Sequence, residues 1–491
     1  MADGIRPASV VVIGAGQGGH QTAASLRERG YEGRITLIGE EDALPYERPP
    51  LSKAYLKGEA DETHLWLRPE AYYARQAIDR VTGAVVAIDR AARSVRLADG
   101  SSYGYGHLVL ATGARPGMPQ LPGAGLRGVH TLRTVRDAAA LRDALAAATA
   151  GAPGGAARAV VVGAGFIGLE FAAVARESGC EVTVVEALDR PMARVVSART
   201  AAHFTGLHRR RGNRLVYGQG VTAFHDDGHG RVAAVGTADG RQLPADPVLV
   251  GIGVVPRTEL AETAGLAVSG GIVVDAGLLT GDPHISAIGD CAVFPLSGPG
   301  TQPRSRPRSQ PQSRLGSGSQ PGAESQPQPQ PQSESESESE SESEAGAGAR
   351  SRTQPRMRLE SVQNAVGHAK LVAERLTGAP RPYDELPWFW SDQFGTTVQI
   401  AGIGDGHDAE VVLADSPDAD AFSVLLFRQE ALIAVESVNR PGDHMAARRL
   451  LGDGMSLSRA EAARTGFSLT EHLRRSANGG VSAPAGAMAT G

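Results

Sequence analysis

Cysteine is nearly missing: the 491 residues hold 2, Cys180 and Cys291, in no CxxC or CxxxxC spacing. That excludes a disulfide framework and a cysteine-built zinc site, and no metal is expected. A reducing cytoplasm fits such usage. Lysine is almost as scarce, confined to Lys53, Lys57 and Lys370, so arginine carries the positive charge and a lysine inside a motif stands out. Aromatic residues make up 4%. No apolar run reaches about 18 residues, so no membrane-spanning helix is expected. Met1–Pro7 passes straight into an apolar strand-like run and leaves no room for a secretory signal. A formal net charge of −5 offers no electrostatic footprint for nucleic acid. What remains is 41% hydrophobic and 21% charged, the balance of a chain with several cores. At about 150 residues per domain, the length predicts about three.

The first readable unit runs Ser9-Val-Val-Val-Ile-Gly14-Ala-Gly16-Gln-Gly18-Gly19. A strand-length apolar run ends in G-x-G-x-x-G, a helical pattern follows (Ala23, Ala24, Leu26), and a second strand, 34–38, closes on Glu40. This is the order of a dinucleotide-binding unit. The glycines serve a tight turn, backbone approach to a pyrophosphate and close helix packing, and the acid accepts from a ribose. Free N–H groups at the helix start favour phosphate. The unit recurs at Ala159-Val-Val-Val-Gly163-Ala-Gly165-Phe-Ile167-Gly168, with a helix, a strand over 181–185, and Glu186. One such motif is weak; two, each with strand, helix and acid in place, predict two nucleotide sites. Leu108–Pro116 ends a strand on Ala111-Thr112-Gly113, and Leu249–Pro256, with Gly253, is its counterpart. A short strand over 285–288 leads to Gly289-Asp290, a carboxylate placed to accept from a polyol hydroxyl.

Residues 298–355 break the pattern with Arg/Pro/Ser/Gln text, Gln-Pro repeats and Ser-Glu pairs, a composition unable to bury apolar surface and expected to be disordered. Beyond it the pattern predicts a helix through Ala365, Ala369, Leu371 and Val372, an aromatic concentration at 387–390, and an antiparallel sheet from alternating segments 398–401, 411–413, 422–427 and 431–438. A helix over 444–451 follows. From about Ser476 the chain is Gly/Ala/Ser-rich, a frayed tail.

Glu47-Arg-Pro-Pro-Leu-Ser-Lys53, Ala111-Thr-Gly-Ala114, Gly163–Glu170, Gly289-Asp290, Arg358-Leu-Glu-Ser-Val-Gln-Asn-Ala365, Trp388-Phe-Trp-Ser-Asp-Gln393 and Ser437-Val-Asn-Arg-Pro441 occur in this order. Together they resemble the NADH-dependent ferredoxin and rubredoxin reductases that serve cytochrome P450 and aromatic-ring dioxygenase systems. The resemblance covers nearly the whole chain outside the insert and the two tails. It implies an α/β fold: two nested Rossmann-like domains in the two-nucleotide arrangement of glutathione reductase, plus a C-terminal α+β interface domain. The FAD domain would span 1–117 and 247–385, the NAD domain 118–246, the interface domain 386–475, and the tail 476–491.

By resemblance, Gly14, Gly16, Gly18 and Gly19 would cradle the FAD pyrophosphate and Glu40 the adenosine ribose. Val85 would meet the adenine, Arg133 the phosphates, and Asp290 the ribityl chain. Ala111, Thr112 and Gly113 would also bind FAD. Val362 and Trp390 would lie near its ring. Gly163, Gly165, Ile167, Gly168, Glu186 and Gly253 would hold NAD. Lys53 would approach the flavin and pair with Glu170, which would meet the nicotinamide carboxamide; a cation there favours a reduced, anionic ring. Glu186 argues for NADH, because a carboxylate repels a 2′-phosphate, with Arg190 nearby as the opposing feature. The partner would be a [2Fe–2S] ferredoxin or a rubredoxin-like protein, and monomer and homodimer both stay open. A disulfide reductase is excluded, since no cysteine precedes Cys180. A binding flavoprotein of the apoptosis-inducing-factor kind remains as the alternative. The insert reads as a tolerated expansion, or as charge that tunes partner docking.

Overall fold

Strands that are valine-rich and buried on both faces belong in the middle of parallel sheets, and two such strands organise the molecule. The computed structural model describes residues 6–151, 156–295, 356–416 and 419–479, so the 298–355 insert lies outside the described residues. Ser9–Ile13 runs parallel to Arg34–Gly39 on one side and His107–Leu110 on the other, with Val10 opposite both Ile35 and His107. Ile285–Ala287 and Ile78–Thr82 complete a five-stranded sheet in the order 285–287, 107–110, 9–13, 34–39, 78–82. The second sheet repeats the plan around Arg158–Val162, which pairs in parallel with Glu181–Val185 and Val248–Val250. Arg214–Val216 and Val129–His130 form its edges.

One boundary moves. Residue 247 was expected to begin the return to the first domain, yet Val248–Val250 pairs with Val160–Val162 and belongs to the second sheet. The reason is the internal repeat: 248–250 stands to the second sheet as 107–110 stands to the first, and the crossing comes after it.

The C-terminal sheet is antiparallel, in the order Trp388–Gln393, Thr396–Gly402, Ala431–Val438, Phe422–Arg428, Ala409–Ala414. Alternation suggests one wet face, but Phe422–Phe427 is buried at every position. Phe422, Val424 and Leu426 join Phe171 and Phe204 of the second unit, while Leu425 and Phe427 pack with Ala446 and Leu450 of the Pro441–Gly452 helix. Each such buried side chain is worth about 1.5–3 kcal/mol, so this sheet is welded to the second unit by its core. A buried acid fixes the seam: Glu436, 0% exposed, accepts from the Ser197 backbone N–H and from the Ser197 hydroxyl, both at 2.7 Å, at the start of the Ala198–Arg210 helix. Burial pushes its carboxyl up from the ordinary range, and those donors hold it back in part. Helix Leu469–Gly479 carries on beyond residue 476, where composition places the tail. Among the described residues no helix is long and apolar enough to cross a membrane.

Candidate active site

Each glycine loop has its shape because a side chain would collide with backbone. Gly14 sits at φ +106°, and a Cβ there would lie 2.1 Å from the Ala111 carbonyl oxygen; one on Gly19 would lie 1.8 Å from that of Gly14. The second loop repeats this: Gly163 at φ +102° faces the Gly251 carbonyl at 2.5 Å, and Gly168 the Gly163 carbonyl at 2.1 Å. Gly16 and Gly165 begin the two helices with no side-chain cap. By contrast, Thr134, Ser197 and Ser361 cap theirs. Helix-start N–H groups are thus left for an outside acceptor such as a phosphate. A Cβ on Gly16 would meet nothing nearer than Arg48 Nη2 at 4.0 Å, so the approach to the first loop is open and lined by a cation. These residues fit a dinucleotide.

Arg48 lay inside the Glu47–Lys53 motif without being singled out. Its guanidinium donates to the Arg133 carbonyl and pairs with Glu41 at 3.0 Å, and Glu41 accepts from the Tyr46 hydroxyl at 2.5 Å. Arg133 and Asp290 come together as an ion pair at 2.8 Å. Thr112 donates to the Arg257 carbonyl at 2.8 Å, next to Gly113 at φ +67°. Ala111 donates its N–H to the Ile13 carbonyl and so closes the loop against the sheet. Val85 opens a strand of a small separate meander, 85–89, 94–97 and 102–104. Val362 is the first residue of the Val362–Leu376 helix, capped by Ser361.

The two acids that follow the glycine loops meet different partners. Glu40 forms an ion pair with Arg257 at 2.6 Å, whereas Glu186 accepts backbone N–H groups from Ala164 at 2.7 Å and Leu188 at 2.9 Å. Arg190 is turned to Asp189 at 3.3 Å and to the Ala193 carbonyl at 3.2 Å. Ile167 and Ile252 stand exposed beside the second loop, and Gly253, at φ +106°, has open space around it.

The three regions meet at Glu170. Only 3% exposed on the Phe166–Glu177 helix, it pairs with Lys53 Nζ at 2.6 Å and accepts from the Ser52 hydroxyl at 2.5 Å through Oε2. Its other oxygen, Oε1, accepts from Ser391 of the C-terminal sheet at 2.6 Å. A cation beside a buried carboxylate offsets the cost of burying it. Lys57 adds a second rung to the same helix, pairing with Glu177 at 2.8 Å, and that contact raises the Lys57 pKa. Ser52 and Ser391 were not anticipated, although both sit inside quoted motifs. Side chains of the 388–393 strand alternate: Phe389 packs tilted against Phe166, ring centroids 4.5 Å apart, and Ser391 reaches Glu170, while Trp390 lies on the opposite face, tilted against Trp388 at 6.0 Å. Both cysteines are buried and unpaired, and Cys291 Sγ lies 3.2 Å from the Ile288 carbonyl, so thiol–disulfide exchange has no reactive pair here.

Comparison with known proteins agrees with this geometry. A profile described as Pyridine nucleotide-disulphide oxidoreductase matches residues 8–316, and one described as Reductase C-terminal matches 388–473. Rhodocoxin reductase of Rhodococcus erythropolis is 43% identical over 468 residues, 95% of either chain. Putidaredoxin reductase of Pseudomonas putida is 34% identical over 91% of this chain and 92% of its own. Among solved structures, a ferredoxin reductase for the CYP199A2 system from Rhodopseudomonas palustris superposes with a TM-score of 0.80 at 41% identity, covering 95% of this chain and 99% of that one. The covalent putidaredoxin reductase–putidaredoxin complex gives 0.79 at 32%, covering 96% and 99%. With two glycine loops, a Lys53–Glu170 pair built on a buried carboxylate and relatives matched across nearly their full length, the chain belongs to the pyridine nucleotide-disulphide oxidoreductase family, as an FAD- and NAD(H)-binding oxidoreductase of the ferredoxin-reductase kind.

Proposed function

We propose that this chain takes electrons from NADH and passes them to a small iron–sulfur protein, a [2Fe–2S] ferredoxin or a rubredoxin, in a P450 or ring-hydroxylating oxygenase system. The observation that carries this reading is the Lys53–Glu170 pair, 2.6 Å apart where the two glycine-loop units and the C-terminal sheet meet. Bound FAD supplies the chemistry, accepting two electrons from a reduced nicotinamide and releasing them one at a time.

The chain's own residues bind, orient and exclude water. Gly14, Gly16, Gly18 and Gly19, with the N–H groups of the uncapped Gln17–Glu28 helix, would hold the FAD pyrophosphate, and Arg48 and Arg133 would balance its charge. Glu40 and Val85 would take the adenosine end. Asp290 would take the ribityl hydroxyls. Ala111, Thr112, Gly113, Val362, Trp390 and Lys53 would surround the flavin. Gly163, Gly165, Ile167, Gly168, Glu186 and Gly253 would hold NADH, with Glu170 toward the nicotinamide. Lys53 keeps its ammonium at the junction because Glu170 anchors it, and the 388–393 strand closes that side against water. Glu186 selects NADH by its charge, while Arg190 turns its terminal nitrogens to Asp189 and the Ala193 carbonyl.

We assign residues 1–117 with the segment after Val250 up to 385 to the FAD domain, 118–250 to the NAD domain and 386–475 to the interface domain. The cytoplasm is the compartment we infer, from two buried, unpaired cysteines.

The test is direct. Purified protein should carry flavin absorbance, lose it promptly with NADH, and sustain reduction of a [2Fe–2S] ferredoxin. A preparation that stays colourless after incubation with FAD overturns the reading. So does slow NADH oxidation with no transfer to any iron–sulfur protein, the behaviour of a flavoprotein that works mainly through binding.

A further inference from the structure

The Ser391 contact with Glu170 is the last step of a longer chain. Ser391 Oγ lies 3.3 Å from Gln393 Nε2; Gln393 Oε1 lies 3.0 Å from His208 Nε2; His208 Nδ1 lies 2.9 Å from Asn213 Nδ2. All four residues are buried, with exposures of 0%, 1%, 0% and 4% in that order. The first two lie on the C-terminal sheet (Ser391, Gln393) and the last two at the end of the Ala198–Arg210 helix and in the turn after it (His208, Asn213).

Chemistry fixes the direction of every hydrogen. A carboxylate only accepts, so the single Ser391 hydroxyl hydrogen goes to Glu170 Oε1. Ser391 Oγ must then receive, which obliges the Gln393 amide to turn its N–H₂ toward it and its oxygen toward His208. The imidazole therefore carries its hydrogen on Nε2 and accepts from Asn213 on Nδ1. Burial lowers the His208 pKa and so favours this neutral, one-hydrogen form. Asn213 Oδ1, at the far end, is buried and has no partner among the described residues, so the chain of donors starts there.

We propose that Ser391, Gln393 and His208 are positioning residues for Glu170: a one-way hydrogen-bond relay that fixes Oε1 from the C-terminal sheet and thereby keeps Oε2 aimed at Lys53. Bonds aligned head to tail polarise one another, so the relay acts as a unit. It also makes the seating of the C-terminal sheet on the second unit a condition for a correctly placed Lys53–Glu170 pair. The inference rests on the reading of the chain as an NADH-dependent flavoprotein reductase.

Stopped-flow bleaching of the flavin by saturating NADH tests it on the FAD-loaded protein. Ser391→Ala should slow the limiting rate roughly tenfold, the scale of one hydrogen bond to a charged acceptor. The KM for ferredoxin should stay unchanged. Gln393→Met, which removes the donor to Ser391 without burying a charge, should slow it by a smaller factor. The double variant should be no slower than Ser391→Ala alone, because both changes cut one relay. His208→Phe should fall in the same non-additive set and serves, with Gln393→Met, if Ser391→Ala loses its flavin. A wild-type rate in Ser391→Ala, or effects that multiply in the double variant, overturns the relay. A wild-type protein that NADH does not reduce overturns the functional reading instead.

Discussion

The two glycine loops are the same object built twice, and what differs is how each treats its acid. In both, a glycine in the left-handed region lies under a neighbouring carbonyl, at 2.1 Å for Gly14 and 2.5 Å for Gly163 when a Cβ is placed there. In both, the loop's first N–H donates to the end of the next strand: Gly14 to Ile38 and Gly163 to Val185, each at 2.8 Å. Around the first loop stand Arg48, Arg133 and the Arg257–Glu40 pair. Around the second, Glu186 accepts from two backbone amides, with Ile167 and Ile252 exposed beside it. On the proposed function, the cation-lined loop would keep the FAD pyrophosphate and the open loop with a preset carboxylate would take the nucleotide that binds and leaves.

The sharpest way to break this contrast is to fill each loop. Gly19→Ala drives a Cβ into the Gly14 carbonyl, an overpacking cost of about 1–3 kcal/mol, and should yield protein without flavin by absorbance. Gly168→Ala makes the same collision in the second loop but should leave flavin content intact and raise the NADH KM. Loss of flavin in both would erase the distinction. Next in size, Lys53→Ala should slow flavin reduction by NADH at least about tenfold, since it strips the cation from a buried carboxylate at the junction. An unchanged limiting rate would remove Lys53 from the site.

Glu186→Gln should narrow the preference for NADH over NADPH by about tenfold in kcat/KM, while Glu40→Gln should leave that ratio alone and weaken flavin retention. A coenzyme shift from Glu40→Gln would mean the loops had been assigned the wrong way round. The smallest effect belongs to Arg257→Ala. Its pair with Glu40 is half exposed, worth about 0.2–1 kcal/mol, so the thermal midpoint should barely move and the difference should vanish in high salt.

Much of the second unit's detail lay beyond reading along the chain. Ser52 touches Glu170 across 118 positions and Ser391 touches it across 221, and no periodicity relates them. Gln393 and His208 are separated by 185 positions, and each looks, in its own segment, like an ordinary polar residue. Phe422–Phe427 reads as a half-buried strand until the second unit and the Pro441–Gly452 helix are seen to cover both of its faces. The place where the chain crosses back to the first domain was equally hidden, because strand pairing, and not composition, puts Val248–Val250 beside Val160–Val162.

The sequence by itself determined the two glycine loops, the acids that follow them and the strand, loop, helix and strand succession around each. Those features are short-range: a positive φ, a backbone approach closer than any Cβ permits, and a helix that begins without a cap each dictate residue types at fixed offsets. Only the tertiary structure decided what Glu170 does with its second oxygen and which residue answers Glu40. A buried carboxylate takes whatever donors the packed domains bring within reach, and that choice is made by the fold.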